Sequence, residues 1–246
     1  MTPDQVVTLR HELLGKSPEQ ALEWAFSHFD HGKVALATSL AAEDQVLTDM
    51  ISRIDEHPGL FCLDTGRLFP ETYDTVEHTR LRYGVAIELL SPERTELEPM
   101  VLEHGPNLFF QSRELRKLCC LVRKVNVLRR KLAGLDLWIT GLRREQAITR
   151  VGRSVLEWDE SFGLFKLNPL HAWRTTEVWS YIRKHQVPYN PLHDRDYPSI
   201  GCAPCTRAVS PGESIRAGRW WWEETEEREC GLHWQNGEPM RAKDVE

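Results

Sequence analysis

Short apolar runs alternate with helical patterns along most of this chain, and few folds accommodate that alternation. "KVALATS" (33–39) reads as a buried strand and "AAEDQVLTDMISRI" (41–54) as the helix after it. "GLFCLDTG" (59–66) is a second strand ending in a glycine turn, followed by the helical "PETYDTVEHTRLRYG" (70–84). "VAIELLSP" (85–92), "LDLWITG" (135–141) and "LFKLNPL" (164–170) supply three more strands. Residues 112–134 and 173–185 have helical apolar spacing, the former with a glycine stop at Gly134. Strands separated by helices predict an α/β fold, a doubly wound and mainly parallel sheet with helices on both faces. A ligand of such a sheet sits beyond the carboxyl ends of its strands.

Past the last helical pattern the composition changes. Residues 187–219 are rich in Pro, Gly and Ser and read as an irregular segment that wraps the domain. The expected division is an α/β domain over 1–190 that holds the ligand site and a C-terminal segment over 191–246 packed on it. A chain of 246 residues buries a full core without staples. Its net charge of −6 argues against nonspecific nucleic-acid binding, which needs surplus Lys and Arg. The N-terminus has no apolar core of signal-peptide length, and no run approaches a membrane span, so the expectation is a cytoplasmic protein without membrane contact. Thiols stay reduced in that compartment, and six cysteines there read as metal ligands or redox groups rather than a disulfide framework. A homo-oligomer is compatible with everything above.

Four cysteines carry the strongest chemical signal: the adjacent pair Cys119 and Cys120, and Cys202 with Cys205 in "CAPC". A CxxC turn aims two sulfurs at one centre, and a second pair completes a four-thiolate site. Neighbouring residues on a helix diverge by about 100°, which suits the several irons of a cluster better than a single zinc ion. The bland alternative is a set of unrelated core cysteines. Cys62, in the middle of the second strand, is expected to be such a core residue.

The first strand-to-helix turn, "TSLAAEDQV" (38–46), offers backbone N–H groups to an anion, although a simple capped helix explains it equally well. Basic residues cluster at expected strand ends or beside the cysteines: Arg123 and Lys124, then Arg143, Arg144 and Arg150, then Arg216 and Arg219. Each alone is an ordinary solvated charge, but together at the ligand-facing edge they suit phosphate or sulfate oxygens. The triple Trp220 to Trp222 reads as an anchor docking the tail. Cys230 stands alone in an acidic tail, and His233 three residues later is a candidate partner for its thiol.

In order and spacing, "CC" with "RKV", "TGLRREQ", "GCAPCTR", "GRWWWE" and "ECGLH" resemble the assimilatory adenylyl-sulfate reductases that carry an iron–sulfur cluster. The resemblance runs from about Ala35 to His233. It implies an adenine-nucleotide α-hydrolase-like sheet that binds adenosine 5′-phosphosulfate, and a [4Fe–4S] cluster on Cys119, Cys120, Cys202 and Cys205. It implies that Cys230 attacks the sulfate sulfur, expels AMP and becomes an S-sulfocysteine, from which thioredoxin or glutaredoxin releases sulfite. Substrate contacts would come from Ser39, Glu43 and Asp44, from Asp64, Gly66 and Arg67, and from Lys124, Gly141, Arg143, Arg144 and Arg150. Arg216, Arg219 and His233 complete the implied set. The family's phosphate-loop wording is close to SFGAED, and Leu40 and Ala41 here replace its Phe and Gly. That replacement would alter the turn if the glycine carried a positive φ.

Two rival readings share these residues. One is the same chemistry on 3′-phosphoadenosine 5′-phosphosulfate, whose reductases usually lack the paired cysteines. The other is a non-redox adenine-nucleotide binder with structural zinc. A sulfur-transfer enzyme acting on tRNA fits less well, because the chain is acidic and has no SGGxDS loop.

Overall fold

All five runs read as strands form in the computed structural model, which describes residues 5–146, 154–223, 234–235 and 238–239. They are β1 (Val34–Ala37), β2 (Leu60–Leu63), β3 (Glu88–Leu90), β4 (Leu137–Ile139) and β6 (Leu164–Leu167). A sixth strand, β5 (Leu156–Asp159), was not legible; it pairs antiparallel with β6 at the sheet edge. The sheet order is β3-β2-β1-β4-β6-β5, and every pairing except β5 with β6 is parallel. The chain winds outward from β1 through β2 to β3, then returns to place β4 on the other side of β1. The switch point therefore lies between β1 and β4.

Alternate side chains of β1, β2 and β4 serve opposite cores, as the two-residue period of a pleated strand requires. Val34, Leu36, Leu60, Leu137 and Ile139 join one cluster with the buried faces of α2 (Pro18–His28), α3 (Ala42–Ile51) and α8 (Thr175–His185). Ala35, Phe61 and Trp138 face the other way, against Leu128 and Leu132 of α7 (Asn126–Leu132). Between these, α4 (Pro70–Tyr83) ends where Gly84 takes a left-handed φ of 67°, which glycine adopts without penalty.

The single helix expected over 112–134 is interrupted. It comprises α6 (Arg113–Cys120), a π turn over Leu121–Val125, and α7. Cys119 and Val122 pack with Cys202, Cys205 and Trp220, whereas Leu128 and Leu132 pack on the sheet. The wider turn lets the helical stretches on either side of it serve different targets. Helices α1 (Val6–Glu12), α2 and α5 (Arg94–His104) lie outside the sequence reading.

Residues 187–219 contain no strand of the main sheet, in line with the irregular segment expected. They are held by particular bonds: Asn190 Nδ2 donates to Thr72 Oγ1 at 3.1 Å, and Ala203 N donates to Arg67 O at 2.8 Å. Arg207 N donates to Gly218 O at 3.0 Å. A short antiparallel pair, β7 (Trp234–Gln235) and β8 (Glu238–Pro239), follows. Among the described residues, no helix is long and apolar enough to cross a membrane.

Candidate active site

The carboxyl ends of β1 and β4 open into a cavity of about 650 Å³, the size of a nucleotide-class ligand. Its floor includes Phe61, Cys62 and Trp138, its near wall the 38–44 turn, and its far wall residues from the C-terminal segment such as His193, Ile200, Arg216 and Arg219.

The turn after β1 has a specific construction. Leu40 holds a φ of 60° and is fully buried, while Ala41 sits at −76°. The left-handed position is thus the one occupied by leucine, and the alanine that replaces the family's glycine has an ordinary conformation. A non-glycine residue in this region stores strain, offset here by burying the leucine side chain. Leu40 N donates to Thr38 Oγ1 at 3.0 Å, and Ser39 donates to Asp44 Oδ2 through both N and Oγ, each at 2.7 Å. No side chain caps the start of α3, and Ala42, Glu43 and Asp44 of its first turn line the cavity.

Burial raises the Asp44 carboxyl from 3.8 to about 6, against the lowering pull of hydrogen bonds from Ser39 and the Gly141 backbone. Its folded value lies above its unfolded one, so folding takes up a proton. The associated stability is complete below pH ~4 and is lost as pH rises through about 6. Relative to Asp44→Asn, the wild type is expected to gain about 2 kcal/mol in urea unfolding between pH 7.5 and 4.5. A flat difference across that range would remove the assignment.

Beside Asp44, Glu43 forms an ion pair with Arg143. The Arg143 Nη2 to Glu43 Oε1 distance is 2.7 Å, and both side chains are largely buried. The same guanidinium reaches Glu145 Oε2 at 2.9 Å, Trp173 O at 3.2 Å and Thr175 Oγ1 at 3.2 Å. Its charge is therefore matched by carboxylates.

A second, smaller cavity adjoins the first. Cys119, Cys120, Cys202 and Cys205 all line it, with Arg67, Arg116, Arg123 and Trp220, and it shares Lys124 and Arg219 with the larger cavity. All four cysteines are buried. Burial pushes the Cys205 thiol up to about 12 and also raises Cys119; Arg123 and Lys124 pull Cys119 the other way, Lys124 and Arg219 pull Cys205. Arg123 Nη1 donates to Thr65 O at 2.6 Å, and Thr65 Oγ1 lies 3.3 Å from Cys202 Sγ. Among the described residues, no group of three or more His, Cys, Asp or Glu is already arranged to hold a single metal ion. The donor set is nonetheless all sulfur, drawn in pairs from two segments and surrounded by cations, and such a set fits an iron–sulfur cluster.

Residues 33–208 match the phosphoadenosine phosphosulfate reductase domain. The chain belongs to this family. It is 50% identical over 212 residues to the adenosine 5′-phosphosulfate reductase of Burkholderia cepacia, covering 86% of this chain and 85% of that one. It is 47% identical over 237 residues to the Pseudomonas aeruginosa (strain LESB58) protein of the same name, covering 94% and 87%. Among solved structures it resembles the phosphoadenylyl-sulfate reductase of Candida auris, in a phosphate complex. The TM-score is 0.71 at 31% identity, covering 85% of this chain and 98% of that one.

Of the residues expected to contact substrate in this member of the reductase family, Ser39, Glu43, Asp44, Lys124, Gly141, Arg143, Arg216 and Arg219 line the large cavity. Asp64, Gly66 and Arg67 do not. Asp64 Oδ1 accepts from Gly66 N and the Tyr73 hydroxyl, closing the turn after β2, whose cavity contacts are instead Leu63 and Thr65. Arg67 faces the cysteine cavity, donating to Pro106 O and to Asn107 Oδ1 and lying over the Phe109 ring. Arg144 is exposed, on a short 3-10 turn outside the cavity wall. Arg150, Cys230 and His233 lie outside the described residues. Sequence reasoning missed Thr140, Trp179, His193 and Asp196 on the wall. Thr140 was reachable from the strand-end rule; the others sit on α8 or in a stretch with no periodic pattern.

Proposed function

We propose that this chain is an adenylyl-sulfate reductase, reducing adenosine 5′-phosphosulfate to sulfite and AMP in assimilatory sulfate reduction. The observation that carries the reading is the shared wall: Lys124 and Arg219 border both the large cavity at the switch point and the four-cysteine cavity. The names of the relatives, at 47–50% identity, favour adenosine 5′-phosphosulfate over its 3′-phosphorylated form.

Adenosine occupies the cavity between Phe61 and Trp138 on the floor and the strand-end backbone at Gly141. The phosphosulfate lies toward Lys124, Arg216 and Arg219, whose charges offset the negative charge that repels an incoming thiolate. Arg143 builds the wall by fixing Glu43. Cys230 is the nucleophile: its sulfur forms a bond to the sulfate sulfur, the bond from that sulfur to the phosphate oxygen breaks, and AMP leaves with the electron pair. A thiolate of thioredoxin or glutaredoxin then attacks the Cys230 sulfur and expels sulfite, and the second reductant thiol resolves the mixed disulfide, regenerating Cys230. His233 and Arg150 belong to the same proposal. Cys119, Cys120, Cys202 and Cys205 would hold a [4Fe–4S] cluster, which supplies electrostatic organisation beside the phosphosulfate.

Steady-state turnover with both nucleotides and reduced thioredoxin tests the reading. The expected result is a kcat/KM for adenosine 5′-phosphosulfate that exceeds that for the 3′-phosphorylated substrate by ~100-fold or more. The reverse order would overturn it. For the cofactor, anaerobically purified protein is expected to contain about four irons and four labile sulfides per chain, and Cys202→Ser to lose most of both. One zinc without iron would support the structural-metal alternative instead.

A further inference from the structure

Helix α6 carries Arg116 one turn before Cys119, and its guanidinium is 1% exposed. Nε donates to Glu223 Oε1 and Nη2 to Glu223 Oε2, both at 2.8 Å, and the Glu223 side chain is 8% exposed. The same guanidinium lies 4.8 Å from the ring of Trp220, which is itself buried and also receives Arg219 at 4.8 Å. A buried ion pair contributes little net stability, since desolvating both charges offsets most of their attraction. A two-pronged Arg–carboxylate pair does fix direction as well as distance. Here it joins residues 107 apart in sequence and attaches the cysteine helix to the chain seven residues before Cys230. Seven extended residues reach at most about 25 Å.

We propose that the Arg116–Glu223 pair is a tether. It fixes the chain at Glu223, seven residues before Cys230 in sequence, and so sets the effective concentration of the thiolate at the substrate cavity. Arg116 and Glu223 are then positioning residues. The inference rests on the assignment of Cys230 as nucleophile.

The test uses the full-length holoenzyme and the variant Glu223→Gln, since Glu223 lines neither cavity among the described residues. Transfer of the sulfo group to Cys230, followed by rapid quench and intact mass without reductant, is expected to slow by roughly tenfold to a hundredfold. AMP affinity and iron per chain should stay within about twofold of wild type, because neither depends on where the tail is anchored. Glu223→Asp, which keeps the charge on a shorter arm, should give an intermediate rate. A parallel loss of iron or AMP affinity would make the pair a structural support and overturn the proposal, as would an unchanged transfer rate. A fluorophore attached to Cys230 gives a readout independent of chemistry. Its anisotropy should fall in Glu223→Gln, and an unchanged value also overturns the tether. A wild-type enzyme that forms no adduct refutes the role of Cys230 itself, and the anisotropy then decides the tether separately.

Discussion

Replacing Cys230 by serine is expected to abolish the sulfo adduct and to lower turnover by ~10⁴-fold or more, the scale seen when a covalent nucleophile is removed. Serine keeps size and polarity but offers no thiolate near neutral pH, and its oxygen cannot pass a sulfur-bound sulfo group to a dithiol reductant. AMP affinity and iron content should be unaffected, since the described cavity walls and the four buried thiols are drawn from other segments. The measurement is intact mass after incubation with adenosine 5′-phosphosulfate in the absence of reductant. The wild type should gain the mass of one sulfo group; the same gain in Cys230→Ser would move the nucleophile elsewhere.

Gly141→Ala is expected to reduce nucleotide affinity by about two orders of magnitude, the cost of displacing a substrate-positioning wall. A Cβ at position 141 would stand well inside van der Waals contact of Asp44 Oδ1, 2.9 Å from Glu43 Cβ and 3.3 Å from Asp44 N. Asp44 has no room to yield, because Ser39 holds its other oxygen through two bonds of 2.7 Å. Glu43 is fixed by Arg143. The clash therefore passes into the 38–44 turn and pushes the start of α3 away from β4. Calorimetric titration with AMP checks this, and near-wild-type affinity would show that the turn yields without consequence for the ligand.

Much of the architecture was legible because β1, β2, β4 and β6 bury nearly every side chain, and β2 and β4 read as the unbroken apolar runs "LFCL" and "LWI". β5 escaped because "LEWD" at an antiparallel edge buries one residue fully and leaves the rest half-covered. Helix α2 carried an unread signal in "SPEQ": Ser17 Oγ accepts from Gln20 N, and Gln20 Oε1 accepts from Ser17 N. The cysteine pairs were visible as spacing, and the two segments do meet at one cavity. Their meeting depends on a π turn that no periodicity announces. Charge was the poorest guide at the site. Arg143 looks in sequence like an anion-binding residue, and only the fold brings Glu43, 100 positions away, to share it with the neighbouring Glu145. Arg67 likewise follows the correct turn but leans toward Asn107 and Phe109 rather than the large cavity.

Lys124 and Arg219 belong to the walls of two cavities at once. Negative charge placed in either space is consequently felt in the other, and thermodynamic linkage makes that influence mutual. Whatever factor a loaded cysteine site contributes to the affinity for nucleotide, nucleotide must return to the retention of the cysteine site's occupant. The ratio of nucleotide affinities with and without that occupant, and the ratio of the occupant's affinities with and without nucleotide, are then one quantity and should agree in magnitude.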